Sequence, residues 1–110
     1  ITGGSMADLA LNPTLDDCQK LISELIIERG YDKESVAEVF TLLIEETGEL
    51  AKAIRKYNGQ KVHTDSQTHN VAEELADVLW LVMDLSNRLG VDLEKAFRAK
   101  EEKIKTRTIA

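Results

Sequence analysis

Apolar residues recur in this chain at the three- and four-residue spacing of an α-helix, and capping and stop residues bound each run. Thr14 can cap a first helix, and Gly30 can end it. Ser35 and Glu38 form a capping box for a second helix that continues to about Tyr57. No run alternates with the two-residue period of a strand. The pattern therefore predicts an all-α fold.

Two further helices follow a polar stretch. Residues 60–68 show no apolar period and are interpreted as a loop. A third helix is expected to begin near His69 or Asn70 and to end at Gly90. Asp92 can cap a fourth helix. On one face of that helix lie Leu93, Phe97 and Ile104.

The length of 110 residues fits one domain, which we place at 6–110. Residues 1–5, before Met6, resemble a cloning remnant and are set aside. The longest apolar run is Val78 to Met83, far short of the roughly 20 residues that a membrane span needs. No membrane partner is therefore expected.

Charge and cysteine content narrow the function classes. Lysine and arginine number 14 against 20 acidic residues, a net charge of -6, which argues against a nucleic-acid partner. Cys18 is the single cysteine, so no internal disulfide is possible and a reducing compartment is indicated. Together these features predict a cytoplasmic protein.

Four acids form two pairs, each at three-residue spacing within one predicted helix. Glu46 and Glu49 lie in the second helix, and Glu74 and Asp77 in the third. Three residues turn a helix by about 300°, so both members of a pair share one face. If the two faces oppose each other, the acids form a cage of four carboxylates.

The second helix has two adjoining apolar faces. Because Glu46 and Glu49 interrupt one of them, they are expected to point inward, whereas Glu45 falls on a polar face at the margin. The face expected to form the core seam comprises Val36, Phe40, Leu43, Leu50, Ile54 and Tyr57. The face that carries the two acids comprises Val39, Leu42, Glu46, Glu49 and Ala53.

The third helix is apolar nearly all round from Leu75 to Leu85, which predicts that Asp77 is buried. Two carboxylates about 4 Å apart repel by roughly 4 kcal/mol at an effective dielectric of about 20. Four converging acids therefore need a cation or shifted pKa values, and Mg²⁺ suits an all-oxygen site. Gly48 inside the second helix predicts a close approach beside the cage.

A simpler interpretation stays open on spacing alone. Lys52, Arg55 or Lys56 could pair with these acids, which would leave a non-catalytic helical module held by ordinary salt bridges.

The motif Glu46-Thr-Gly-Glu49, followed one loop later by Glu74-Leu-Ala-Asp77, resembles the ExxE and ExxD signature of MazG-like nucleoside triphosphate pyrophosphohydrolases. The resemblance covers about residues 15–107. It implies a four-helix bundle. Because four helices in one small domain leave more apolar surface than the bundle can cover, we also expect homo-oligomerisation, as a homodimer or a homotetramer, both of which relatives form. The resemblance also implies that a nucleoside triphosphate is hydrolysed to a monophosphate and pyrophosphate.

The resemblance further implies that Glu46, Glu49, Glu74 and Asp77 hold Mg²⁺, for which Mn²⁺ can substitute. Glu49 is a ligand or the catalytic base, and Glu45 is a second candidate for the base. We expect a house-cleaning enzyme that prefers deoxynucleotides. Phosphoribosyl-ATP pyrophosphatase, which shares the fold and the metal motif, is the alternative enzyme.

The substrate's other contacts are expected on helices one to four. Relatives carry basic residues that match Lys100 and Arg107, which makes these the favoured phosphate contacts, with Lys103 a third candidate. Many relatives have asparagine where this chain has Ile104. For the base and sugar pocket the candidates are Ile22, Ile26, Phe40, Trp80 and Asp84.

Overall fold

The computed structural model of the protein describes residues 8–59 and 70–109, with side chains up to 107. These ranges contain four α-helices and no strand, so the all-α prediction is confirmed. The predicted loop at 60–68 and the cloning remnant at 1–5 lie outside the described residues. The helices are α1 (Leu15–Glu28), α2 (Val36–Tyr57), α3 (Val71–Arg88) and α4 (Leu93–Ile109).

Side-chain caps start the helices where the sequence predicts them. Thr14 Oγ1 accepts a hydrogen bond from the Asp17 amide at 3.0 Å, and Asp17 returns one to the Thr14 amide. Ser35 and Glu38 form the same reciprocal box at α2. Asn70 caps α3 through the Glu73 amide. These bonds satisfy amide groups that have no partner within the helix.

Glycine ends the first three helices. Gly30 and Gly90 have φ values of 77° and 70°, a conformation that other residues adopt at a cost. Each follows a helix end and turns the chain back, as the stop signals predict. Gly59, after α2, also has a positive φ, of 77°.

A small hydrophobic core lies between α1 and α3. Ile22 and Ile26 of α1 pack against Met83 of α3 and are almost fully buried. Partly buried side chains complete the cluster: Cys18, Trp80 and Leu93. α2 packs along α3, and α4 packs on α1.

A buried amide side chain joins α1 to the turn before α4. Gln19 Nε2 donates to Asn87 Oδ1 and to the Val91 carbonyl, both at 2.9 Å. Gln19 Oε1 accepts from the Leu93 amide at 2.8 Å, and Asn87 Nδ2 donates to the Gln19 carbonyl. Every hydrogen-bonding group of the Gln19 side chain is thus engaged, as burial requires.

A second polar contact fixes the turn between α1 and α2. The guanidinium of Arg88 donates to Asp84 Oδ1 at 2.8 Å and to the carbonyls of Tyr31 and Glu34. Because the Asp84 side chain is almost fully buried, the paired cation offsets its desolvation. The C-terminal half of α3 is therefore tied to the α1–α2 turn.

The expected core seam of α2 is wrong for the single chain. Val39 and Ala53, on the face that carries the acids, are the buried residues of α2. Of the expected seam, Val36, Phe40, Ile54 and Tyr57 are exposed, whereas Leu43 and Leu50 are half-buried. We define the outer α2 face as the exposed apolar surface beside the face that carries the acids. It comprises Val36, Phe40, Ile44 and Ile54, whose exposed fractions run from 40% to 56%.

Two further expectations about burial are also wrong. The N-terminal half of α3 is not covered all round, since Leu75 and Leu79 are about half exposed and Asp77 is exposed. A Cβ atom at Gly48 would meet nothing within 4 Å, so this glycine marks no close approach in the described chain. Among the described residues, no helix is long and apolar enough to cross a membrane.

Candidate metal centre

Three of the four predicted carboxylates converge between α2 and α3. One carboxylate oxygen each from Glu46, Glu74 and Asp77 lie within 4.8 Å of one another. The helices run antiparallel, because Leu42 lies with Trp80 and Leu81, whereas Glu46, one turn later in α2, lies with Glu74, which comes earlier in α3. The three-residue spacing in α3 places Glu74 and Asp77 one turn apart.

The environment of the three acids differs. Glu74 is buried, Glu46 is half-buried and Asp77 is exposed, so the site opens to solvent on the side of Asp77. Burial raises the pKa of Glu46 above its ordinary value, and the neighbouring Asp77 carboxylate and a hydrogen bond with Glu74 raise it further. The group therefore resists full ionisation unless positive charge is supplied.

The donor set fits a hard divalent cation. All three groups offer oxygen, the ligand type that Mg²⁺, Mn²⁺ and Ca²⁺ prefer. The three oxygens already lie within 4.8 Å of one another, so one cation placed among them would be near all three carboxylates.

Glu49, the fourth predicted ligand, lies beside this group rather than within it. Its Oε2 atom is inaccessible to solvent and lies 3.9 Å from Nζ of Lys52. The Glu49 carboxylate nevertheless adds to the raised pKa of Glu46. Glu45 is exposed, at the margin where the sequence predicts it.

An apolar cleft of about 240 Å³ adjoins the carboxylates. Its polar wall is formed by Glu46 and Asp77. Trp80, one of the predicted pocket residues, lines it together with Leu42 and Leu81. The two leucines were missed, although Leu42 precedes Glu46 by one turn and Leu81 follows Asp77 by one turn. That spacing alone could have identified them.

The other predicted pocket residues lie elsewhere. Ile22 and Ile26 belong to the core between α1 and α3, and Phe40 lies on the outer α2 face. Asp84 pairs with Arg88 in the buried ion pair described above. The structure therefore brings only Trp80 of these candidates to the carboxylates.

The predicted phosphate contacts lie on α4. The side chains of Lys100, Lys103 and Arg107 are all exposed. Because α4 packs on α1, whereas the carboxylates lie between α2 and α3, the single chain does not gather the two sets.

Comparison with known families gives one family match. The family model described as the MazG nucleotide pyrophosphohydrolase domain matches residues 34–109, which include both acidic pairs. The matched region also contains α4 and the apolar cleft.

Individual relatives agree with this match. The chain is 31% identical to the uncharacterized protein YvdC of Bacillus subtilis (strain 168), over 84% of this chain and 94% of that protein. It is 28% identical to the Gene 37 protein of Mycobacterium phage L5, over 92% of this chain and 80% of that protein. The crystal structure of iMazG from Vibrio DAT 722 superposes with a TM-score of 0.63 at 35% identity, covering 86% of this chain and 96% of that one.

Proposed function

Because this chain belongs to the MazG nucleotide pyrophosphohydrolase family, we propose that it hydrolyses nucleoside triphosphates to monophosphates and pyrophosphate with Mg²⁺, deoxynucleotides being preferred. The convergence of Glu46, Glu74 and Asp77 is the observation that carries the proposal. Three carboxylates that repel one another are stabilised by a divalent cation, and a triphosphate is a ligand that such a cation recruits.

The chemistry follows from the residues around the cation. Mg²⁺ bound here would neutralise phosphate charge and lower the pKa of a water. Glu46, Glu74 and Asp77 would hold the cation, with Glu49 as a fourth ligand or as the base that would accept the water proton. Glu45 is the second candidate for that base. The water oxygen would bond to the α- or the β-phosphorus, and the α–β anhydride bond would break, so that the monophosphate and pyrophosphate separate.

The apolar cleft is the proposed nucleoside site. Trp80 offers an aromatic surface for the base, and Leu42 and Leu81 supply apolar contacts. A ribose 2′-hydroxyl placed against these leucines would lose its hydrogen bonds to water, whereas 2′-deoxyribose has no hydroxyl at that position. This cost supports the proposed preference for deoxynucleotides. A house-cleaning role in the cytoplasm is part of the same proposal.

We also propose that the chain works as a homodimer or homotetramer. The Cα radius of gyration is 17.0 Å, against about 13 Å for a compact domain of this length, and the outer α2 face is exposed. A second copy packed on that face would cover apolar surface. It would also allow Lys100, Lys103 and Arg107 of one subunit to reach phosphates held by another.

Pyrophosphate release from a panel of ribo- and deoxynucleoside triphosphates, with phosphoribosyl-ATP included, tests the activity. We expect Mg²⁺-dependent release that falls about 100-fold or more in Glu74→Gln and Asp77→Asn, since each removes a charged ligand. Glu73→Gln is the matched control, because Glu73 is an exposed acid next to Glu74 on α3. Absence of metal-dependent turnover with every substrate would leave the non-catalytic helical module as the better interpretation.

A further inference from the structure

Lys52 is a cation that the chain itself places beside Glu49, the acid next to the three converging carboxylates. It lies one turn beyond Glu49 on α2, and its Nζ atom is 3.9 Å from Glu49 Oε2. The side chains of Lys52 and Glu49 are 42% and 38% exposed. Ion pairs at this exposure contribute little stability, so Lys52 can leave Glu49 when a stronger anion binds.

Three features lie in a fixed order along the α2–α3 pair. At one end lies the apolar cleft formed by Leu42, Trp80 and Leu81, and the acidic group follows along the helices. Lys52 comes about 9 Å beyond Glu46 in the same direction, since a helix rises 1.5 Å per residue. Because the helices are antiparallel, that end of α2 coincides with the start of α3, whose dipole is positive there.

This order matches the order of groups in a nucleoside triphosphate. With the base in the cleft and the α-phosphate at the acidic group, the β- and γ-phosphates extend toward Lys52. Those two phosphates become the pyrophosphate product and carry most of the substrate's negative charge. They would lie against a surface that is rich in carboxylates and would therefore need a nearby positive charge. A lysine ammonium supplies a point charge suited to phosphate oxygens.

We propose that Lys52 binds the β- and γ-phosphates and thereby sets the direction in which the triphosphate lies. The proposal rests on the proposed function, since it assigns one end of the same substrate. If Lys52 were only a structural partner of Glu49, removing its charge would change cation binding and leave pyrophosphate binding unchanged.

Three variants test the assignment. Lys52→Met removes the charge at nearly constant length, and Lys52→Arg restores a cation. Lys20→Met is the matched control, because Lys20 is an exposed lysine of α1 whose Nζ lies 3.0 Å from Asp16 in a similar ion pair. Each variant is titrated by calorimetry in excess Mg²⁺ with inorganic pyrophosphate, with the four common deoxynucleoside monophosphates, and separately with Mg²⁺ alone.

We expect Lys52→Met to weaken pyrophosphate binding about tenfold or more, the usual effect of losing one charge-assisted hydrogen bond. Monophosphate affinity should change less than about twofold, and Mg²⁺ affinity should not fall. Lys52→Arg should recover most of the pyrophosphate affinity, and Lys20→Met should match the wild type. In turnover, KM for the triphosphate should rise in the same proportion in Lys52→Met.

Other outcomes overturn the assignment. Equal weakening of pyrophosphate and monophosphate, unchanged pyrophosphate affinity, or an equal effect of Lys20→Met would each exclude a specific contact with the leaving phosphates. Binding needs no turnover, so it judges Lys52 even if the wild type hydrolyses nothing. If the wild type is inactive but its pyrophosphate binding depends on Lys52, the proposed function is refuted and the assignment of Lys52 to pyrophosphate binding stands.

Discussion

At the scale of single residues, Glu46 links protonation to the candidate metal centre. Its pKa is raised above the ordinary 4.5, first by burial and then by the Asp77 carboxylate. The folded chain therefore holds the Glu46 proton more tightly than the unfolded chain does. Between 4.5 and the raised pKa, the folded state binds more protons, so the free energy of unfolding falls as the pH rises.

A divalent cation should reverse this dependence. The cation binds the ionised carboxylates, so its stabilisation grows as the pH rises through the same window. We expect Glu46→Gln to unfold with a weaker pH dependence than the wild type in EDTA, and to gain less stability from Mg²⁺. Urea denaturation from pH 4.5 to 8, with EDTA or Mg²⁺, measures both effects. Identical pH profiles for the two proteins would contradict the role of Glu46.

The sequence predicted four converging acids, of which three meet while Glu49 lies beside them, and it did not predict how exposed each is. Helical phase alone placed Glu46, Glu74 and Asp77 on facing surfaces, because three-residue spacing is independent of the neighbouring helices. Exposure depends on those neighbours. Asp77 was expected to be buried because its own helix is apolar, yet α1 covers only the C-terminal half of α3 in the single chain.

At the scale of helices, α2 has two apolar faces and one chain covers only one of them. Periodicity identified both faces correctly but assigned the core to the wrong one. Apolar spacing alone cannot tell which face of α2 forms the core, since Phe40 and Val39 lie on adjoining faces of similar apolar content. The acidic pair was the better guide, because a face that carries a metal site must oppose another element.

Gly48 lies in the middle of α2 with open space around it, which makes it a test of what covers that helix. We expect Gly48→Ala to raise the free energy of unfolding by about 0.5–1 kcal/mol through lower backbone entropy in the unfolded chain. Ala51→Gly, at an exposed position in the same helix, should lower it by a similar amount. A loss of stability in Gly48→Ala that deepens with protein concentration would show instead that a second subunit packs against Gly48.

The orientation of α4 depends on the buried Gln19 side chain. Gln19→Leu removes its bonds to Asn87, Val91 and Leu93, and should lower the free energy of unfolding by about 1–3 kcal/mol. Amide exchange at Leu93 should rise more than exchange within α2. Ser23→Ala, at an exposed position of α1, should stay within about 0.5 kcal/mol of the wild type.

A double-variant cycle isolates the contact between Gln19 and Asn87. One hydrogen bond, from Gln19 Nε2 to Asn87 Oδ1, joins the two side chains, so Gln19→Leu combined with Asn87→Leu should cost less than the sum of the single variants. Strict additivity in urea denaturation would show that the two side chains stabilise α4 independently.

At the scale of the whole molecule, the single chain leaves apolar surface that its own helices do not cover. The buried core contains few large side chains, whereas the outer α2 face and the exposed Phe97 of α4 remain open to solvent. The sequence predicted this excess because four helices in one small domain cannot cover every apolar face. It could not say which faces remain open, since that depends on how α4 packs.

The outer α2 face should therefore hold subunits together. Ile44 is 56% exposed on that face, and Ile44→Lys would place a charge in an apolar interface, where it costs several kcal/mol. We expect the wild type to have at least twice the mass of one chain by light scattering, and Ile44→Lys to have the mass of one chain. Ile27→Lys, at an exposed apolar position of α1, should keep the wild-type mass.

If Lys100, Lys103 and Arg107 act across subunits, Ile44→Lys should also lose turnover while its helical content stays unchanged. A monomeric wild type with full activity would refute both expectations, because the phosphates would then be bound within one chain.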